Sequence, residues 1–322
     1  VAPDAIGPMF FENQPATASG YAPSRFGGRA TGVPGEIPGL LAAHARFGSL
    51  DLATVLAPAT RAAYKGFAID ASYVSAIKRV ASIRAKHPDL RPMSRWLWTH
   101  LCGSGTLSEG DVIRQPELAE FLARLSEEGI DAWRGESAES AAPLVAGTNR
   151  AYDGQLTAED IRTYEPRWRK PLIAKNVFQD YDAVLMPPPS SGGVVLLQVL
   201  SMLDARLSDM GRPSMDSPEF THLLAEALKH GFADRARYLA DPDFAPVPLD
   251  QLCDRTALRA LAETIDLTQT KPSDAYGLVA PPPDDRGTSH YSVIDRNGMT
   301  VAATETINAT FGSLVVVPEL GI

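Results

Sequence analysis

Apolar residues recur at helical spacing along most of this chain and switch to strict alternation near its C-terminal end. Leu40, Leu41, His44 and Phe47 share one face of a helix predicted over 37–47, after the turn Gly32-Val33-Pro34-Gly35-Glu36. A second helix is predicted over 50–64, with Leu52, Val55, Leu56 and Ala59 inward and a bend at Pro58. Basic and apolar residues mix over 71–86, which reads as a surface helix. Pro116 opens a helix whose inward face is Leu118, Phe121, Leu122 and Leu125. Thr157-Ala158-Glu159-Asp160 has the form of a capping box. Strand-like pieces at 172–177 and 183–185 run into Pro187-Pro188-Pro189-Ser190-Ser191-Gly192-Gly193. There the prolines stop the strand, the serines are placed to cap a helix over 194–207, and the glycines permit close backbone approach. The strongest helical pattern follows Ser217-Pro218-Glu219, where Phe220, Leu223, Leu224, Ala227, Leu228, Gly231 and Phe232 fall on one stripe. A short helix over 257–264 and a proline-rich linker over 272–287 complete the series.

The alternating runs are 289–295 and 299–306, joined through Arg296-Asn297-Gly298, and they predict a β-hairpin. A two-residue loop would set Thr288 opposite Ile307, and a three-residue loop sets it opposite Thr306. The three-residue register separates the faces better. Val293 then meets Val301 and Tyr291 meets Ala303, while Ser292, His290 and Thr288 meet Ala302, Thr304 and Thr306 on the other face. Asn308 lies one step further along that polar face.

Composition narrows the partners more than the fold. The 322 residues suffice for one large α/β (α+β) unit or two smaller domains. A net charge of −9 argues against nucleic acid or an anionic membrane as partner. No apolar run approaches the ~18 residues of a membrane span. Val1 is not followed by a signal-peptide pattern and is not Met, so the natural N-terminus is expected upstream. Cys102 and Cys253 read as unpaired buried thiols. Cys102-Gly103-Ser104-Gly105 lacks the Gly-Lys-Ser/Thr of a phosphate loop and the leading Gly of a nucleophile elbow, so it reads as a loop. His222 and His230 share a helix without an evident third ligand, and no metal is assigned to them. Asp234, Arg235 and Arg237 read as an ion-pair patch.

The chemistry is expected at Thr288. A threonine hydroxyl needs a base, and one solution is the residue's own α-amine, freed by cutting the chain before it. Such an amine titrates at about 7.7–8.0, so much of it is neutral near pH 7. The arrangement requires a strand that begins with Thr, an accessible loop before it and polar neighbours. Residues 280–308 supply all three.

At these residues the chain resembles the γ-glutamyltransferase (glutathione hydrolase) family of N-terminal-nucleophile hydrolases. The resemblance runs through Gly32-Val33-Pro34-Gly35, Leu56-Ala57-Pro58-Ala59, 187–193, Leu224-Ala225-Glu226-Ala227-Leu228-Lys229 and Asp234-Arg235-Ala236-Arg237-Tyr238-Leu239. It ends in Thr288-Ser289-His290-Tyr291-Ser292-Val293 and Thr306-Ile307-Asn308-Ala309-Thr310-Phe311-Gly312. It implies a four-layer αββα sandwich and a precursor that cuts itself between Gly287 and Thr288. Residues 1–287 would then belong to a large subunit and 288–322 would begin a small one, interlocked as one domain.

The resemblance implies that Thr288 is the nucleophile toward glutathione and other γ-glutamyl compounds, with water, an amino acid or a peptide as acceptor. Thr306 would hold the nucleophile, and Asn308 would help to bind the glutamyl end. No metal or organic cofactor is implied, and the location would be periplasmic or secreted. A carboxylate-binding Arg is expected before Val1, and the amino-binding acids, a Ser-Ser pair and the oxyanion glycines after Ile322. The chain thus reads as truncated at both ends and is not expected to turn over substrate efficiently by itself. The alternatives are a non-catalytic fragment or pseudoenzyme serving binding or assembly, and a related acylase acting on β-lactam side chains.

Overall fold

The computed structural model describes residues 2–7, 10–11, 17–134, 141–149, 154–277 and 288–322. Helices α1 (Glu36–Phe47), α2 (Leu52–Lys65) and α3 (Ala71–Lys86) come first, with strand β1 (Phe67–Ala68) between the last two. Strand β2 (Val112–Ile113) and helices α4 (Pro116–Glu128), α5 (Asp131–Arg134), α6 (Ala141–Asn149) and α7 (Ala158–Thr163) follow. Then come β3 (Leu172–Phe178), β4 (Tyr181–Leu185), α8 (Gly192–Asp209), α9 (Pro218–Tyr238), α10 (Leu249–Leu252) and α11 (Arg255–Glu263). The series closes with β5 (Thr288–Ile294) and β6 (Thr300–Thr306). Among the described residues the strands form three antiparallel pairs, β1–β2, β3–β4 and β5–β6. Two compact units result, one drawn from Val1–Arg167 and Asp284–Ile322, the other from Trp168–Pro283.

The first unit has two apolar clusters. One gathers Val33, Phe121, Trp133, Leu144, Leu156 and Ile161 with Val317 and Leu320. The other gathers Ile77, Val80, Leu90, Leu97, Leu101, Cys102 and Ile113 with Leu314. The segment after β6 therefore enters both clusters, which pins the chain just beyond the hairpin. The capping box at Thr157 forms as predicted: Asp160 N–H donates to Thr157 Oγ1 at 3.1 Å, and Thr157 N–H donates to Asp160 Oδ2 at 2.7 Å.

Some predicted faces turn out differently. Leu40 and Phe47 on α1 are exposed and Pro38 is buried instead. On α2 the exposed Val55 and Ala59 give way to Ala63, because α2 lies against α4 along a neighbouring stripe. Helix α3 is no plain surface helix, since Ile77 and Val80 are core residues. Asp51 and Asp70 cap α2 and α3, accepting the N–H groups of Thr54 and Tyr73 at 2.7 and 2.9 Å.

In the second unit, α8 and α9 pack through Val195, Val199, Met202, Leu203, Leu223 and Ala227, and α11 adds Ala262. Ser217 caps α9 by accepting Phe220 N–H at 3.1 Å. The serine cap expected for α8 is absent: the Ser191 hydroxyl accepts from Arg235 Nε at 2.9 Å instead. The close approach there is real, because a Cβ on Gly193 would lie 2.0 Å from the Met186 carbonyl oxygen. The expected ion-pair patch is also redistributed, with Asp234 accepting from the Gln198 amide at 2.9 Å. His222 bonds the Asp266 carbonyl at 2.7 Å and His230 packs edge-on to Tyr276, so each histidine has its own structural partner. Cys102 and Cys253 are both unpaired; Cys102 is buried and Cys253 half-buried. Of the linker expected over 272–287, residues 272–277 are exposed except for a half-buried Tyr276. The remainder lies outside the described residues.

Buried Glu226 on α9 organises the end of this unit. Its carboxylate accepts from Lys229 Nζ and Thr270 Oγ1, each at 2.6 Å, and from the Tyr276 hydroxyl. Burial alone would raise its pKa; the bonds from Lys229, Thr270 and Tyr276 outweigh it and hold the group at about 2.

Candidate active site

Strands β5 and β6 pair in the three-residue-loop register, Thr288 with Thr306, His290 with Thr304 and Ser292 with Ala302. The loop is fixed by Asp295, whose carboxylate accepts the N–H groups of Asn297 and Met299 at 2.8 Å each. Gly298 supplies the left-handed residue, with φ 86°. The apolar face of the hairpin is open, Tyr291, Val293 and Val301 all being exposed.

On the polar face the Thr288 hydroxyl donates to Thr306 Oγ1 at 3.0 Å. The backbone N–H of Asn308 donates to the same oxygen at 2.9 Å. Thr288 and Thr306 therefore meet, as the register predicted, whereas Asn308 lies past the end of β6 with a left-handed backbone and reaches Thr306 through its N–H. His290 sits one pair further along, its Nδ1 2.8 Å from Thr304 Oγ1 and its Nε2 3.2 Å from Ser292 Oγ. The histidine supports the polar ladder and does not bond Thr288. Gly287 lies outside the described residues.

Beyond β6 the backbone leaves the strand through left-handed residues. Asn308 (φ 71°), Phe311 (φ 57°), Gly312 (φ 55°) and Leu314 (φ 65°) all have positive φ. Asn tolerates that region and Gly is indifferent to it; Phe and Leu hold it only because neighbours over-determine it. Those neighbours are visible: Arg79 Nη1 donates to Thr310 Oγ1 at 2.8 Å, Gly27 N–H to the Ser313 carbonyl at 2.9 Å, and Tyr73 packs on Phe311. Leu314 itself is fully buried.

The turn 30–36 faces this segment across a cleft of about 590 Å³, whose lining includes Thr306, Asn308, Phe311, Gly35 and Glu36. Cavities of this size take a small organic ligand. At its edge the carboxyl of Glu36 is raised in pKa, first by burial and then by Glu305. Glu305 in turn accepts the Tyr291 hydroxyl at 2.8 Å. Sequence reasoning missed this pair, because no periodicity links position 36 to the hairpin.

Chemically, the arrangement holds the proton side of Thr288 toward Thr306 and leaves the threonine oxygen its lone pairs. Thr306 is a hydroxyl and too weak a base to deprotonate another hydroxyl, so it can orient the Thr288 hydroxyl but activating that hydroxyl would take a separate base.

A family model described as Gamma-glutamyltranspeptidase matches residues 1–322. The glutathione hydrolase proenzyme of Escherichia coli (strain K12) is 33% identical over 297 residues, which are 91% of this chain and 49% of that one. The acylase ACY 1 proenzyme of Pseudomonas sp. (strain SE83) is 35% identical over 296 residues, 92% of this chain and 50% of that one. The chain thus spans about half the length of the curated relatives it matches. Among solved structures, the gamma-glutamyltranspeptidase from Pseudomonas nitroreducens complexed with L-DON superposes with a TM-score of 0.70 at 30% identity, covering 85% of this chain and 77% of that one. The Helicobacter pylori gamma-glutamyltranspeptidase gives 0.71 at 27% identity, over 88% of this chain and 78% of that one. These neighbours establish the α+β fold of the N-terminal-nucleophile hydrolases. With its full length matched, and with relatives of one third identity over nine tenths of it, the chain belongs to the gamma-glutamyltranspeptidase family.

Proposed function

We propose that this chain carries the nucleophile of a self-processing γ-glutamyl amide hydrolase and transferase. The observation that supports it most is the hydrogen bond from Thr288, first residue of β5, to Thr306, which with Asn308 lines a ligand-sized cleft. In the first step Thr288 Oγ attacks the Gly287 carbonyl carbon, and the peptide C–N bond breaks to leave an ester and a free α-amine. Water then cleaves the ester, giving a chain that ends at Gly287 and another that starts with Thr288. The products would be residues 1–287 as large-subunit portion and 288–322 as the start of the small subunit.

The freed amine takes the Thr288 hydroxyl proton while the oxygen attacks the γ-glutamyl carbonyl of glutathione or a related amide. The proton passes to the departing amine, cysteinylglycine in the case of glutathione. Water, an amino acid or a peptide then accepts the acyl group. Thr306 orients the nucleophile, and Asn308 contributes to holding the glutamyl end. A location outside the cytoplasm, periplasmic or secreted, accompanies this reading, and cell fractionation tests it. None of the described helices is long and apolar enough to cross a membrane.

The test uses the natural gene product that contains this chain. Wild type should resolve into two bands on a denaturing gel, the smaller with N-terminal Thr, and should release p-nitroaniline from γ-glutamyl-p-nitroanilide. Thr288→Ala should do neither. Equal release by wild type and Thr288→Ala removes Thr288 as the nucleophile and sinks the proposal; no release by either sinks it and leaves a non-catalytic protein. The 35% identity to an acylase proenzyme supports a second reading as an acylase, for which β-lactam side chains are the substrates we would test. Faster turnover of glutaryl than of γ-glutamyl amides would select it.

A further inference from the structure

The unit formed by Trp168–Pro283 has a recess of its own, of about 330 Å³, lined by Ser201, Asp204, Ala205, Arg255, Thr256 and Arg259. Its walls follow from helical spacing. Ser201, Asp204 and Ala205 stand at i, i+3 and i+4 on α8, and Arg255 and Arg259 stand one turn apart on α11, with Thr256 beside them. The two helices pack together, so two hydroxyls and two guanidinium groups line one space.

Three observations say that something is wanted there. Ser201 is only 8% exposed, and its Oγ has no hydrogen-bond partner among the described residues. A buried hydroxyl normally finds one. Arg259 makes no ion pair or hydrogen bond among the described residues. Arg255, by contrast, is fixed in place, donating from Nη1 and Nη2 to the carbonyls of Lys175 and Asn176 at 2.9 and 2.8 Å. Two like charges a turn apart are mildly unfavourable on a helix. Opposing charges are present: Asp204 lines the recess and accepts Gln179 N–H at 2.9 Å, and Asp254 caps α11 through Ala257 N–H at 2.7 Å. Together they disfavour a multiply charged guest.

We propose that this recess binds a small singly charged oxyanion, a carboxylate or a monoanionic phosphate, through Arg259, Thr256 and Ser201. The site is separate from the cleft beside Thr306 and does not depend on the function proposed above.

Calorimetric titration of the full-length protein with sodium acetate and with inorganic phosphate tests it, at constant ionic strength against sodium chloride. At least one anion should bind saturably, and the tighter of the two identifies the source. Arg259→Gln, a change at an exposed position, should raise that Kd about tenfold, with partial recovery in Arg259→Lys. Ser201→Ala should raise Kd several-fold without lowering the melting temperature, since it removes an unpaired hydroxyl. Absence of saturable binding by both anions, or an unchanged Kd in Arg259→Gln, overturns the proposal.

Discussion

At the scale of single residues, one oxygen matters most. Thr306 Oγ1 receives both the Thr288 hydroxyl and the Asn308 N–H, so it fixes the direction of the Thr288 proton and the first step of the turn beyond it. Replacing Thr306 with Ala should reduce kcat for γ-glutamyl-p-nitroanilide about fivefold, the worth of a hydrogen bond near 1 kcal/mol, while Thr306→Ser retains most of it. A kcat unchanged in Thr306→Ala would remove Thr306 from the site. This pair was legible in the sequence because it depends only on local strand parity. Glu226 was not legible as a buried charge: its partners Thr270 and Tyr276 lie 44 and 50 positions away, and on the stripe of α9 it looks like any polar residue. Glu36 escaped for the same reason, since its companion Glu305 belongs to the distant hairpin.

At the scale of elements, periodicity located the helices well and their buried faces less well. Helix α3 spans the predicted 71–86, yet Ile77 and Val80 are core because a neighbouring cluster covers them, which spacing alone does not reveal. The α8 terminus shows the limit of capping rules: a serine in the right place bonds an arginine of α9 instead of the helix backbone. Ser217 does cap α9, so Ser217→Ala should destabilise by about 1 kcal/mol, read from denaturant midpoints, whereas Ser191→Ala should not show a cap's cost. In the hairpin, Gly298→Val forces a side chain into the left-handed region and should cost on the order of 1–2 kcal/mol. Slower appearance of the two processed bands should accompany it. A variant that melts and matures like wild type would show that the turn does not set the register.

At the scale of the molecule, acid response includes two opposite contributions. Glu226 has its folded pKa held near 2, below its unfolded value, so its stabilisation is full above about pH 4.5 and is lost as pH falls toward 2. The span corresponds to about 3 kcal/mol. Thermal melts of wild type and Glu226→Gln should therefore differ most above pH 5 and converge in acid. Glu36 is raised in the folded state, so stability associated with it falls as pH rises through and above the ordinary glutamate range. Glu36→Gln should melt higher than wild type at pH 7, with the gap closing near pH 4. Two units with separate apolar clusters also make a single all-or-none transition unlike what these cores suggest. The calorimetric enthalpy should exceed the van't Hoff value.

The loop Arg296-Asn297-Gly298 has a consequence for how such chains can vary in length. Faces of a strand alternate, so the pairing of Thr288 with Thr306 is a matter of odd and even. A slip of the strands by one residue would set Thr288 against Ile307 and turn the polar ladder over. A slip of two would shift the pairing but keep the threonines on one side. Variation at this tip is thus filtered by arithmetic before chemistry: changes in length that stay within the turn can survive selection for activity, and those that slip the strands by one are purged whatever residue they bring.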